Sequence, residues 1–331
     1  MFSVGKDRIG ERIQAHILKL LEKFPEKGLA QRIAEFVRDE LFFCPNIKTI
    51  ESTIVVLPNG QRTIISEEPV NFGEFEEYLQ RRINQLNRDF SDFRIGAVMI
   101  GHIYSDNAHY NAERAGATTR YLLEKFDGRF IFTNFGQSQI GLGWETKREM
   151  MKQISVFQLS MTEIKAFFSE VSNDHLPLEK IIKSFKEQFN KTSAVITLDQ
   201  FGAIAVSCDR VGGIYFAKPN EVLQEIEDST GAGDAFGAGF VANQYCGKKD
   251  FMSALEDAQV WAAYACTTLG GAHECPNPLQ LKDFKEHYIV NNQEEIQVEY
   301  HSMNTLRREL WILDRIYKPS VDLNKAQVSS K

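Results

Sequence analysis

The sequence predicts an α/β fold of three layers, a mainly parallel sheet covered by helices on both faces. Short apolar runs alternate with helical stretches from about residue 97 onward. Strands separated by helices imply parallel pairing and crossover connections. The chain has 331 residues, 43% hydrophobic and 25% charged, an ordinary globular balance with room for a sizeable core. The net charge of -7 argues against a nucleic-acid partner. No apolar run of about 18 residues is present, so no membrane span is expected. The N-terminus lacks a secretory pattern. Cys44, Cys208, Cys246, Cys266 and Cys275 are dispersed without metal-type spacing, which points to free thiols in a reducing cytoplasm.

The elements follow in order. Ile9, Ile13, Ile17, Leu20 and Leu21 recur at helical spacing, so residues 9–23 are expected to be helical, followed by a charged helix over 28–41. Residues 51–66 read as a β-hairpin turned at Asn59-Gly60, and 73–88 as a polar helix. Strands are expected at 97–101, 129–133, 155–159 and 194–198, with helices at 108–126, 145–152, 162–170 and 177–189 between them. Residues 203–207 and 213–216 read as an antiparallel pair, before long helices at 233–246 and 251–269. From about 290 the chain is polar. Its amphipathic stretch, Leu306 to Tyr317, reads as a terminal helix packed on the domain. His102 and Trp144 read as structural.

Gly231-Ala-Gly233 stands directly before a helical pattern of Phe236, Phe240, Val241 and Tyr245. Glycines let successive N–H groups point outward, and the helix adds unpaired amides and the positive end of its dipole. Together these suit a phosphate. Asp234 in the first turn is out of place in a plain phosphate cradle. It fits a phosphoryl-transfer site, where a carboxylate accepts the proton of the attacking hydroxyl and the helix terminus keeps it ionised. The competing reading is a glycine-rich helix start with an ordinary first-turn acid. The spacing is not the dinucleotide G-x-G-x-x-G, and no G-x-x-x-x-G-K-[ST] is present.

Asp228-Ser-Thr-Gly-Ala-Gly-Asp-Ala-Phe236 closely resembles the C-terminal signature of the ribokinase/pfkB carbohydrate kinase family. The resemblance implies a ribokinase-like three-layer αβα fold with a small β lid hairpin. It implies Asp234 as catalytic base, Gly231, Ala232 and Gly233 as anion hole, and Asp228 and Thr230 at a monovalent-cation site, K+ in some members. Ile196-Thr-Leu-Asp-Gln-Phe-Gly202 resembles the T-L-G-x-x-G nucleotide element, with Thr197 and Gly202 matching and Asp199 standing where the family has glycine. Ser160-Met-Thr-Glu163 resembles N-x-x-E, which implies Ser160 near the nucleotide and Glu163 organising Mg2+ through water. Asn134-Phe-Gly136 resembles an N-P-G segment near the substrate, and Gly60-Gln-Arg-Thr63 a G-E-R-T lid stretch that brings Arg62 toward an anion.

The resemblance runs from Met1 to about residue 285, but the family's leading substrate-binding aspartate and G-G-x-x-x-N element are not found. Ser3-Val-Gly-Lys-Asp-Arg-Ile-Gly10 resembles the V-G-x-D-x-x-G segment that follows them. Three explanations compete: a start placed too late, which is favoured; a partner polypeptide that supplies the strands; and a degenerate relative. Missing strands would leave apolar faces and unpaired edges. The expected organisation is a kinase domain over 1–289 and a polar extension over 290–331. The expected function is transfer of the γ-phosphoryl of ATP to a hydroxyl of a sugar or nucleoside-like small molecule, with Mg2+ and no membrane partner. The resemblance also allows a homodimer through the lid. The alternative is a catalytically degenerate binding or scaffold protein of the same fold, which Asp199, Ser160 and the missing elements favour.

Overall fold

The computed structural model describes residues 4–23, 26–39, 43–44, 49, 52–56, 62–66, 75–92, 95–103, 106, 115–169, 176–208, 213–219, 226–268, 276, 278–289, 298–301, 310 and 313–314. The chain divides into two compact units, Met1–Gly96 and Ala97–Lys331. Among the described residues no helix is long and apolar enough to cross a membrane.

In the first unit, β1 (Val4–Gly5) pairs in parallel with β2 (Phe43–Cys44), and α1 (Arg8–Glu22) packs near α2 (Lys27–Arg38). The apolar stripe read from the sequence is the packed one: Ile13, Ile17 and Leu21 gather with Leu18, Ile33, Val37 and Phe43. Asp7 starts α1, accepting from Ile9 N at 3.0 Å and Gly10 N at 2.8 Å. Its other oxygen accepts from Thr49 N at 2.7 Å. The V-G-x-D segment is thus a strand exit and helix cap. The hairpin is β3 (Ser52–Val56) with β4 (Arg62–Ser66), Val56 opposite Arg62. Asn59 and Gly60 lie outside the described residues. α3 (Phe75–Asp89) follows.

The second unit carries a seven-stranded sheet. β5 (Ala97–Ile100), β6 (Phe130–Asn134), β7 (Val156–Ser160) and β8 (Ser193–Thr197) pair in parallel in that order. β9 (Ala203–Val206), β10 (Ile214–Ala217) and β11 (Val298–His301) then add antiparallel strands. Three pairings are parallel, as expected for the strands from 97 onward, and three are antiparallel, among them the β9–β10 pair expected from the sequence. The reversal occurs at the 3-10 turn Asp199–Phe201, where β8 returns directly as β9 instead of crossing over through a helix. β11 arises from the polar tail and was not expected.

Helices cover both faces of this sheet. On one, α9 (Ala232–Val241) and α10 (Phe251–Ala265) bury Phe236, Phe240, Val241, Leu255 and Ala258 against Phe132, Val156, Val195 and Tyr215. A π-helical turn, Ala242–Cys246, joins them toward the end of the stretch expected as one helix. On the other face lie α5 (Gln137–Ile140), α6 (Trp144–Met151), α7 (Met161–Phe168) and α8 (Leu178–Gln188). There Phe157 meets Phe135 and Phe167, and Trp144 meets Phe167, Phe168 and Phe189. Trp144 is therefore a packing residue, as its sequence context indicates. Lys147 is fully buried, its ammonium donating to the carbonyls of Ile140 and Phe167 at 3.0 Å each. α11 (Pro278–His287) packs Phe284 against Tyr264 of α10.

The helix expected over 108–126 is described only as α4 (Ala117–Lys125), because 107–114 lie outside the described residues. Gly116 precedes it at φ 73, and the buried Asp106 accepts from Thr118 N at 2.9 Å and Thr119 N at 3.0 Å. A remote carboxylate thus takes the place of a local cap. The same device starts α8, whose N-cap Pro177 offers no side-chain acceptor. Asp314 accepts from Leu178 N at 2.8 Å and from Lys165 Nζ at 2.7 Å, with Leu310 and Leu313 buried beside it in sequence. Asp314→Ala orphans that amide and ammonium, so we expect a loss of about 1–3 kcal/mol. Amide exchange at the start of α8 measures it; unchanged protection there would refute the capping role.

Candidate functional site

The parallel strands β6, β7 and β8 end at one edge of the sheet, where ligands of open α/β sheets bind. The register sets Asn134 opposite Gln158 and Ser160 opposite Thr197. Four polar side chains therefore line adjacent strand ends, three of them expected from the sequence. The fourth, Gln158, was not singled out. Its signal was a single polar residue inside the apolar run Val156-Phe-Gln-Leu159.

The turn before α9 carries the glycine-rich motif. Gly231 has φ 80, a conformation open to glycine at little cost. Asp228 forms the preceding bend, its Oδ1 accepting from Thr230 N at 2.9 Å. Ala232 N–H donates to the Ser229 carbonyl at 3.2 Å, and Ala235 N–H to that of Gly231 at 2.8 Å. Gly233 and Asp234 are exposed, so the first turn opens outward. Asn134 Nδ2 reaches Asp234 Oδ1 in a long contact of 3.5 Å. Gln158 Nε2 donates to the Gly233 carbonyl at 2.8 Å.

Glu163 sits in a capping box. Ser160 N–H donates to its Oε2 at 2.8 Å, and Glu163 N–H donates to Ser160 Oγ at 3.3 Å. These two expected site residues are brought together, but as the reciprocal cap of α7. Thr197, Asp199 and Gly202 share the turn between β8 and β9. Asp199 is at φ 52 and exposed. The position where the resembling family has glycine thus adopts a backbone that suits glycine, and a side chain occupies it. Gly202 is at φ 92, and a Cβ there would stand 2.1 Å from the Ala217 carbonyl oxygen. Its glycine is dictated by β10 passing behind the turn.

Gly136 lies against His102, whose ring carbon would be 2.3 Å from an added Cβ. His102 follows β5 and its Nε2 is 3.0 Å from Ser138 Oγ. Burial holds the imidazole below its ordinary pKa, which favours the neutral ring. Gln139 ties this corner together, accepting from Gly136 N at 3.2 Å and donating to the Gly101 carbonyl at 3.0 Å. His102 thus shapes the segment after Asn134, consistent with a structural role. Arg62 opens β4 in the first unit. Among the described residues no group of three or more His, Cys, Asp or Glu could hold a metal ion. Among the described residues Cys44, Cys208, Cys246 and Cys266 form no disulfide, and Cys275 lies outside the described residues.

Comparison with known proteins agrees with this architecture. Residues 135–278 match the pfkB family carbohydrate kinase profile. No curated protein matches by sequence. Among solved structures, the ribokinase of Thermotoga maritima is similar at TM-score 0.58 and 18% identity, over 84% of this chain and 86% of that one. A nucleoside kinase of Burkholderia thailandensis in complex with inosine gives 0.55 and 15%, over 82% and 84%. The ribokinase of Cryptococcus neoformans in complex with ADP gives 0.52 and 16%, over 79% and 80%. The chain thus has the ribokinase-like fold, and its residues 135–278 are similar to the pfkB family of carbohydrate kinases.

Proposed function

We propose that the chain transfers the γ-phosphoryl group of ATP to a hydroxyl of a sugar or nucleoside-like small molecule. The observation that carries this is the exposed carboxylate of Asp234, held in the first turn of α9 directly after a left-handed glycine, at the edge where the strands β6 to β8 end. Asp234 takes the proton of the acceptor hydroxyl as its oxygen bonds the γ-phosphorus, and ADP departs with the electrons of the broken P–O bond. Amides of Gly231 and Gly233 stabilise the negative charge of the moving group, joined by that of Ala232 once it exchanges its 3.2 Å bond to the Ser229 carbonyl for the phosphoryl oxygen. Thr197, Asp199, Gly202 and Ser160 border the nucleotide, and Asn134 and Gly136 border the acceptor.

Mg2+ in such enzymes is held chiefly by phosphates and water, so a two-carboxylate or three-carboxylate cage is not needed. Glu163 Oε1 is the atom left over from the α7 cap and would face that hydrated ion. When bound, the ion neutralises phosphate charge. A monovalent cation fits the turn at Asp228. Thr230 Oγ1 is buried with no hydrogen-bond partner among the described residues, which an oxygen-seeking cation such as K+ would relieve.

The test is ADP formation from Mg-ATP with D-ribose or inosine as acceptor, comparing the wild-type chain with Asp234→Asn. Acceptor-dependent ADP that survives the substitution would sink the assignment.

The degenerate-scaffold reading is favoured by one observation, the charged Asp199 in a glycine-like backbone within the nucleotide turn. Asp199→Gly separates the two readings. Relief of the left-handed backbone, about 1 kcal/mol, is offset by the added freedom of the unfolded glycine, about 0.5–1 kcal/mol. Stability should therefore barely move. Removing a negative charge beside polyphosphate should tighten Mg-ATP binding about threefold to tenfold at low salt. Calorimetry reads this directly. An absence of nucleotide binding in both proteins, each folded, would favour the scaffold.

A further inference from the structure

We infer that Gln158 is a positioning residue whose buried carboxamide fixes the first turn of α9, and with it Asp234, against the ends of β6 and β7. The inference rests on the reading of Asp234 as the base. Gln158 is 2% exposed and lies on the sheet face that packs against α9. Its surroundings there are apolar, with Phe132, Phe236 and Phe240 in the adjoining core. A carboxamide in such a place is unfavourable unless both ends are bonded. Only one end is. Nε2 donates to the Gly233 carbonyl at 2.8 Å, while Oε1 is buried with no partner among the described residues. Met or Leu would fill the same volume without that cost. The position therefore sacrifices stability for one directed bond, the pattern expected where function sets the residue.

The rest of the turn is built around that bond. Gly237 lies one helical turn on, where a Cβ would stand 2.7 Å from Gln158 Oε1 and 3.1 Å from Phe132 Cε1. The amide fits beneath α9 because this residue has no side chain. Asn134, register-matched on β6, reaches Asp234 while Gln158 holds Gly233. Two carboxamides on adjacent parallel strands thus grip two consecutive residues of the turn. The apolar contacts of Phe236 and Phe240 hold α9 on the sheet but are non-directional. The first turn, with glycine at 231 and 233, has little helix propensity of its own and would otherwise fray. A directed bond at Gly233 is what fixes the height of Asp234 above the strand ends.

The test is Gln158→Met, which removes the donor and the unsatisfied oxygen at nearly constant volume. Two readouts are needed. Amide exchange at Ala235, whose N–H donates to the Gly231 carbonyl, should quicken about tenfold or more in the variant with its melting temperature equal to or above wild type, since a bond is lost locally while a buried orphan is removed. With Mg-ATP and D-ribose or inosine, kcat should fall about tenfold to a hundredfold while KM for ATP changes less than about threefold, because a misplaced base slows the step without weakening uniform binding. Unchanged exchange overturns the inference whatever the activity. Quickened exchange with wild-type kcat overturns it as well, since the bond would then be structural only. If the wild-type chain transfers to neither acceptor, the transfer reading is what fails for those acceptors, and the exchange data alone decide the tether. If Gln158→Met does not fold, Gln158→Leu is measured in the same way. Loss of fold in both would make Gln158 a stability residue and sink the proposal.

Discussion

Asp234→Asn should lower turnover about 10²-fold to 10⁴-fold, the usual contribution of a general base. The substitution is isosteric, and Asp234 is exposed, so no cavity and no buried orphan is created. Its structural cost is the loss of a first-turn anion, about 0.3–1 kcal/mol through the helix dipole. The contact from Asn134 Nδ2 to the Oδ1 position can be kept, because the asparagine oxygen still accepts. Nucleotide affinity should hold or rise, since a negative charge beside the phosphates is gone. The expected signature is therefore a large fall in kcat with ATP binding preserved in calorimetry. An ordinary first-turn acid gives the opposite pattern, with kcat within about threefold of wild type and a slightly lower melting temperature.

Much of this site could be read from the chain because its determinants are local. Gly231-Ala-Gly-Asp234 fixes a left-handed turn, a helix start and a first-turn carboxylate by steric and dipole rules that act within one turn. The strands β6 to β8 announce themselves as apolar runs for a similar reason, being largely buried on both faces. What escaped the sequence depends on partners far along the chain. The start of α4 is set by Asp106, and the start of α8 by Asp314, 136 residues from Leu178. β11 is a four-residue strand whose pattern, Val298-Glu-Tyr-His301, is too short to stand out from a polar tail and needs β10 to form. The antiparallel β9–β10 pair is legible in the sequence, but the direct return of β8 as β9 turns on one tight connection, Asp199–Gly202. Glu163 shows the limit in another way. The resemblance gives it a metal role and the local pattern gives it a cap. The cap is what its hydrogen bonds form, with one oxygen left for other work.

Gly202→Ala should be among the most damaging single changes in the second unit. Two independent costs act at once. The backbone is at φ 92 and ψ -137, a combination that L residues rarely adopt, at roughly 1–3 kcal/mol. The new Cβ would also stand 2.1 Å from the Ala217 carbonyl oxygen, with Pro219 N at 3.0 Å and the Lys218 carbonyl carbon at 3.1 Å. All three are backbone atoms, so no side chain can swing aside. Relief requires β10 to move from β9, which would strain the register Thr197–Ala203 and Ala203–Ala217 on either side of the turn. Together the costs should reach about 4 kcal/mol or more, a large share of the roughly 5–15 kcal/mol that a domain has. Asp199→Gly, three residues earlier in the same turn, should leave stability nearly unchanged. The pair is informative because both change a positive-φ position of one loop. If Gly202→Ala gives soluble protein with the wild-type near-ultraviolet dichroism and urea midpoint, the close passage of β10 behind this turn is wrong. The geometry of the turn that carries Thr197 and Asp199 would then have to be redrawn with it.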